Sequence, residues 1–260
     1  MSGGLGAARV EAYLERIGVA RPQAPDVAGL RALMRAHLFA VPFENLSVHL
    51  GEPIELVEDA LVEKVVVRRR GGFCYELNGA FAALLRALGY RVSLLSARVF
   101  GAGGVPGPPF AHMALRVDLE EPWLVDVGFG AFAHHPLRLR SRGRQVDPAG
   151  VFQVGEAVGG DLDVVMDGVP QYRLDVRGYA LADFAPACWW QRTWPGSHFT
   201  RSLTCSLPTE SGRVTLSGSR LIRTEGGRRV ERELGGEAEV LEAYRTLFGI
   251  ELERVPVVAG

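Results

Sequence analysis

The sequence predicts an α+β fold in which helical and strand segments are segregated along the chain. Three observations carry this. Apolar residues recur at helical spacing through the first ninety positions. Branched and alternating segments take over from Tyr90. One further helical stretch, Glu237 to Phe248, closes the pattern.

The elements follow in order. Val10, Tyr13, Leu14 and Ile17 share one face of a first helix, and Gly18 is a natural stop. Asp26, after Pro25, is placed to cap a second helix. Its apolar face is Leu30, Leu33, Met34, His37 and Leu38, and it ends before Pro42. A third helix fits Leu56 to Arg68, where the run Arg68, Arg69, Arg70 sets cations at the negative end of the helix dipole. Gly71 and Gly72 break the chain. A fourth helix runs from about Cys74 to Leu88, with Leu77, Phe81, Leu84 and Leu88 on one side and Gly89 as its stop. Tyr90 to Phe100 reads as a strand. Residues 101 to 109, Gly-Ala-Gly-Gly-Val-Pro-Gly-Pro-Pro, form a loop. From 112 to 119 the chain alternates: Met113, Leu115, Val117 and Leu119 on one face, His112, Ala114, Arg116 and Asp118 on the other. Glu120, Glu121 and Pro122 turn it, and Trp123 to Val127 returns. Shorter strand candidates, including Tyr172 to Val176 and Val214 to Ser217, continue to about residue 225.

Composition narrows the function classes. A chain of 260 residues is long for one core and fits two or three structural units. A net charge of −1 points to no nucleic-acid or anionic-membrane partner. No run approaches the ~20 apolar residues of a membrane span. Met1 to Ala8 lacks the charged lead and apolar stretch of a signal peptide. Three cysteines, Cys74, Cys188 and Cys205, are too few and odd in number for a disulfide framework, which fits the cytoplasm. Lys64 is the only lysine, so basic charge is almost entirely arginine.

Cys74 is the residue with the most chemical potential. It sits at the expected first turn of the fourth helix, where unpaired N–H groups and the dipole favour a thiolate. A lone cysteine is most often a small buried hydrophobe, and Cys188, beside Trp189 and Trp190, and Cys205 read that way. His112 opens the alternating strand and Asp126 lies on its return partner, and in such a hairpin diagonal residues lie within ~8 Å. The register itself is left open. An imidazole that takes a thiol proton, held by a carboxylate, makes a nucleophilic triad. The pair His134-His135 has no CxxC or HExxH partner, so no metal site is expected.

Four segments in order resemble the arylamine N-acetyltransferase family. Arg70-Gly71-Gly72-Phe73-Cys74-Tyr75-Glu76-Leu77-Asn78 is similar to its active-site signature. Pro42-Phe43-Glu44-Asn45-Leu46 resembles its turn after the second helix, His112-Met113 its histidine strand, and Asp126-Val127-Gly128-Phe129-Gly130 its aspartate motif. The resemblance covers roughly residues 10 to 130, with a weaker match over 195 to 215. It implies a helical bundle at 1–89 carrying the nucleophile, a β-barrel at 90–195 carrying His and Asp, and an α/β lid at 196–260, around a core like that of cysteine proteases. It implies ping-pong transfer of an acetyl group from acetyl-CoA, a co-substrate and not a resident cofactor, through Cys74 to an arylamine or arylhydrazine. Phe43, Val99, Phe129 and Phe199 match positions that line the family's substrate pocket, and the loop 101–109 would border the coenzyme A cleft. The stretch Cys188 to Ser197, with Trp189, Trp190 and Trp194, carries bulky rings where the family has smaller polar residues, which bears on the acceptor.

Two other enzyme readings use the same three residues. An amide synthase of the same family would close a macrolactam from a carrier-bound acyl chain. A cysteine hydrolase also places Cys, His and Asp in this order. A scaffold that has lost activity is the third alternative.

Overall fold

The computed structural model describes residues 5–258 and has the α+β architecture expected. Its first part is helical: α1 (Ala7–Ile17), α2 (Val27–Ala40), a two-residue strand β1 (Phe43–Glu44), α3 (Leu46–Leu50), α4 (Glu58–Val62) and α5 (Cys74–Ala87). The face read for α1 is buried, and Asp26 caps α2 by accepting the Gly29 N–H at 2.7 Å. Helix α5 is buried along both sides from Cys74 to Leu85, as befits the central helix of a cluster.

The third predicted helix is shorter and irregular. After α4 the chain widens into a π turn, Glu63–Val67, closed by Arg68 N–H donating to Glu63 carbonyl. The turn points Lys64 inward, where its ammonium meets Glu76 at 2.5 Å and the Ser47 hydroxyl at 2.8 Å. A regular helix read from apolar spacing has no place for a buried cation, so the pair across α5 sets the distortion. The basic run divides in the same way. Arg70 is buried and bonds Glu44 at 3.0 Å and Glu52 at 3.1 Å, so it is a structural tie.

An eight-stranded antiparallel sheet follows. It comprises β2 (Arg91–Val99), β3 (His112–Asp118), β4 (Pro122–Val125), β5 (Leu137–Arg138), β6 (Gln145–Asp147), β7 (Gly150–Glu156), β8 (Leu162–Met166) and β9 (Val169–Leu174). The order is β5-β4-β3-β2-β9-β8-β7-β6. It curls into a nearly closed barrel. The Gln145 side chain bridges the gap, accepting the Arg138 N–H at 2.7 Å and donating to its carbonyl at 3.1 Å. That protects two short edge strands. Strand β3 is buried on both faces: Met113, Leu115 and Val117 pack toward α5, and Ala114 into the barrel.

Helix α6 (Ala185–Thr193) was not anticipated from the sequence, which gave no helix there. Its aromatic residues favour strand, yet Pro186 fits a helical first turn. After α7 (His198–Arg201) comes a five-stranded sheet, β1-β10-β11-β12-β13, with β10 (Cys205–Thr209), β11 (Gly212–Ser217), β12 (Arg220–Glu225) and β13 (Arg228–Glu233). Strand β13 also escapes sequence reading, because Arg-Arg-Val-Glu-Arg-Glu is exposed throughout and shows no apolar alternation. The last helix, α8 (Glu237–Phe248), packs Val240, Tyr244 and Phe248 with Leu216 and Leu221 of the sheet. Strand β1 thus ties the helical segment to the last sheet, through Phe43 opposite Ser206.

His37 of α2 is fully buried; Nε2 meets the Tyr13 hydroxyl at 3.0 Å and Nδ1 has no partner. Burial, with Arg16 nearby, pushes its pKa down to about 3. The unfolded chain therefore takes up a proton below pH 6.5 that the folded chain refuses, and stability falls on acidification. Urea unfolding at pH 7.5 and 5.0 should show wild type losing about 1–2 kcal/mol more over that interval than His37→Phe. Equal losses would remove His37 as the cause.

Candidate active site

Cys74 opens α5, in the stretch that runs through Phe73 from the Gly71-Gly72 break. The Glu76 carboxylate accepts the Phe73 N–H at 3.2 Å and so ties the helix start. His112 opens β3. In the β3–β4 pair Leu115 opposes Val125. Continuing that register sets Asp126 opposite Ala114, one diagonal step from His112 on the same face. The two side chains meet: His112 Nε2 lies 2.7 Å from Asp126 Oδ2. All three residues are buried, Asp126 completely.

The electrostatics follow from this burial. Loss of solvent works against a charged imidazole, but the Asp126 carboxylate, by charge and hydrogen bond, outweighs it. Cys74, on the same cleft wall, adds to the effect, and the pKa of His112 is pushed up to about 10. The ring is also held by aromatic neighbours, with Phe129 and Tyr172 centroids at 5.0 and 5.3 Å.

Two residues that the sequence did not single out orient this group. The Asn78 amide donates to Asp126 Oδ1 at 2.9 Å and to the Met113 carbonyl at 2.7 Å, and its oxygen accepts the Val127 N–H at 3.0 Å. Asn78 thereby clamps α5 to both strands that carry the other two residues. Its signal was present in the sequence, four positions after Cys74 and so on the same helix face. The Tyr172 hydroxyl donates to Asp126 Oδ2 at 3.1 Å from distant β9, which no local pattern indicates. Gly128 completes the fit. Its amide donates to Asp126 Oδ1 at 3.0 Å, and a Cβ there would fall 2.7 Å from both Cys74 Cα and Asn78 Nδ2. Only glycine lets this turn press against the start of α5.

Cys74 and His112 line an open cleft of about 500 Å³. Phe43, Val99, Phe129 and Phe199 all line the same cleft, and Pro108 brings the Gly/Pro loop to its edge. A larger cavity, about 610 Å³, lies by Tyr90, Asp118 and Trp123 and has neither cysteine nor histidine in its wall. Cys188 and Cys205 are buried, but Trp189, Trp190 and Trp194, which follow Cys188, are open to solvent. His134 and His135 donate their backbone N–H groups to Asp147 at 2.9 and 3.0 Å. Among the described residues no group of three His, Cys, Asp or Glu side chains is placed to hold a metal, and no helix is long and apolar enough to cross a membrane.

The N-acetyltransferase family profile matches residues 26–257. The chain belongs to the arylamine N-acetyltransferase family. It is 35% identical to the arylamine N-acetyltransferase of Escherichia coli over 93% of this chain and 88% of that one. The solved Salmonella typhimurium arylamine N-acetyltransferase superposes with a TM-score of 0.87 at 33% identity, covering 95% and 92% of the two chains. The Mycobacterium marinum arylamine N-acetyltransferase solved in complex with CoA gives 0.84 at 32% identity, covering 93% and 92%. As a member of this family the chain is an acetyltransferase.

Proposed function

We propose that this acetyltransferase N-acetylates arylamines or arylhydrazines from acetyl-CoA by a ping-pong route through acetyl-Cys74. The observation that carries this is the buried His112–Asp126 pair, 2.7 Å apart, opening with Cys74 onto one aromatic-walled cleft. Cys74 gives its proton to His112, and its sulfur attacks the thioester carbonyl. Coenzyme A leaves as the thiol, taking that proton. The amine then attacks the acetyl-cysteine, His112 removes the amine proton, and the Cys74–His112 pair is restored. Asp126 holds the ring in one orientation and supports its charge through both halves. Backbone N–H groups at the start of α5 suit the transient oxyanion. Phe43, Phe129 and Phe199 offer flat apolar walls for an aryl ring, and Val99 a fourth side. Three unpaired cysteines fit a reducing, cytoplasmic setting.

Intact mass spectrometry tests this directly. Acetyl-CoA should add one acetyl group to the protein, and an arylamine should remove it. A protein that gains no acetyl group and releases no thiol points instead to the carrier-dependent amide synthase.

A further inference from the structure

Tryptophan rings left open to water are a cost that a fold ordinarily avoids by packing them. Trp190 and Trp194 stand one turn apart at the end of α6 and stack, with centroids 4.6 Å apart and planes at 18°. They remain 37% and 47% exposed, so part of the stacked pair is still open to solvent. The pair is held firmly. The Trp194 carbonyl accepts the Ser197 N–H at 2.9 Å and the Thr200 hydroxyl at 2.8 Å. Its ring is seated on Gly196, where a Cβ would lie 2.3 Å from the nearest ring atom. Any side chain at 196 displaces the ring.

This platform is continuous with the catalytic cleft, because Trp190 and Gly196 line it together with Cys74. Among the described residues lining that cleft there is no lysine, arginine, aspartate or glutamate. Apart from the catalytic-cleft His112 and the polar Gln191, Ser197 and His198, that lining is apolar and largely aromatic, which suits a flat, polarisable group. A volume of about 500 Å³ fits a ligand longer than one ring. Three phenylalanines line the cleft, and Trp190, which lines it too, carries the stacked Trp194 beyond its wall.

We propose that Trp190 and Trp194 form a second aromatic subsite. It takes the distal ring of an extended, two-ring aromatic amine whose amino-bearing ring lies among Phe43, Phe129 and Phe199. The inference rests on the acetyl-transfer reading above and adds to it a preference for acceptor length. The occupant is the acceptor; the adenine of the donor, the other flat group available, is separated from it by the experiment.

The full-length enzyme is assayed with acetyl-CoA and two acceptors, a one-ring and a biphenyl-type primary arylamine. The ratio of their kcat/KM values is the readout. Trp194→Ala and, independently, Gly196→Ala should lower the two-ring to one-ring ratio about five- to tenfold, the worth of one aromatic contact. Trp194→Phe should restore it to within about twofold of wild type. The rate of acetyl loading onto Cys74 in Trp194→Ala, whose side chain is not part of the cleft wall, should not change when followed by intact mass. An unchanged ratio overturns the proposal. Slower loading with an unchanged ratio overturns it in favour of the donor's adenine. If wild type loads acetyl but transfers it to neither amine, the arylamine reading itself fails, and the subsite with it.

Discussion

Replacing Cys74 by serine is expected to abolish acetyl transfer while leaving the fold intact. The substitution exchanges one small buried side chain for another at the first position of α5. Unfolding midpoints should stay close to wild type, because no hydrogen bond to the helix start depends on the sulfur. The chemistry does depend on it. A hydroxyl is a far weaker nucleophile than a thiolate and a poor exchange partner for a thioester. Removing the nucleophile of a triad costs on the order of 10⁴–10⁶-fold in kcat. Thiol release from acetyl-CoA with an arylamine present should fall to background, and no acetyl adduct should appear by mass. Retained turnover within about tenfold of wild type would end the covalent reading.

The second large effect is expected from Asp126→Asn, an isosteric change with no charge. Asp126 accepts from His112, Asn78, Gly128 and Tyr172. The amide can keep the Oδ1 contacts to Asn78 and Gly128 but loses the carboxylate facing the imidazole. Burial then acts on His112 against the smaller influence of Cys74 alone, and its pKa falls from about 10. The ring no longer stays charged through neutral pH. A loss of about 10²–10⁴-fold in kcat/KM is expected. The sign of the stability change is also fixed. His112 is raised above its unfolded value of 6.5, so its contribution is complete below pH 6.5 and fades as pH rises through about 10. Melting temperatures from pH 6 to 10.5 should decline at the alkaline end in wild type and less so in Asp126→Asn. Identical alkaline profiles, or activity within threefold of wild type, would refute the role given to Asp126.

Much of this molecule was legible because local patterns and tertiary packing agree. Helices α1, α2, α5 and α8 show their buried faces in their spacing, and Gly18 and Asp26 mark their ends. The β3–β4 hairpin was readable from alternation, and the motif around Cys74 placed that residue at a helix start. What escaped had no local signature. Register is fixed by pairing, so the meeting of His112 with Asp126 had to be seen in the sheet. Tyr172 reaches Asp126 across 46 positions of chain. The π turn exists to bring Lys64 to Glu76, a contact that apolar periodicity cannot register. Helix α6 hides behind strand-favouring tryptophans that the fold leaves in solvent.

That inward lysine has a chemical corollary. Lys64 is the sole lysine in the sequence, and it is locked against Glu76 and Ser47 in the interior. Every other cationic side chain of the Lys/Arg class is a guanidinium, which stays protonated and does not act as a nucleophile. On the acetyl-Cys74 route proposed above, the loaded protein would therefore meet no free ε-amine on a neighbouring copy to consume its thioester. The lysine route of self-acylation is thereby closed, which would keep the acetyl group for an incoming acceptor.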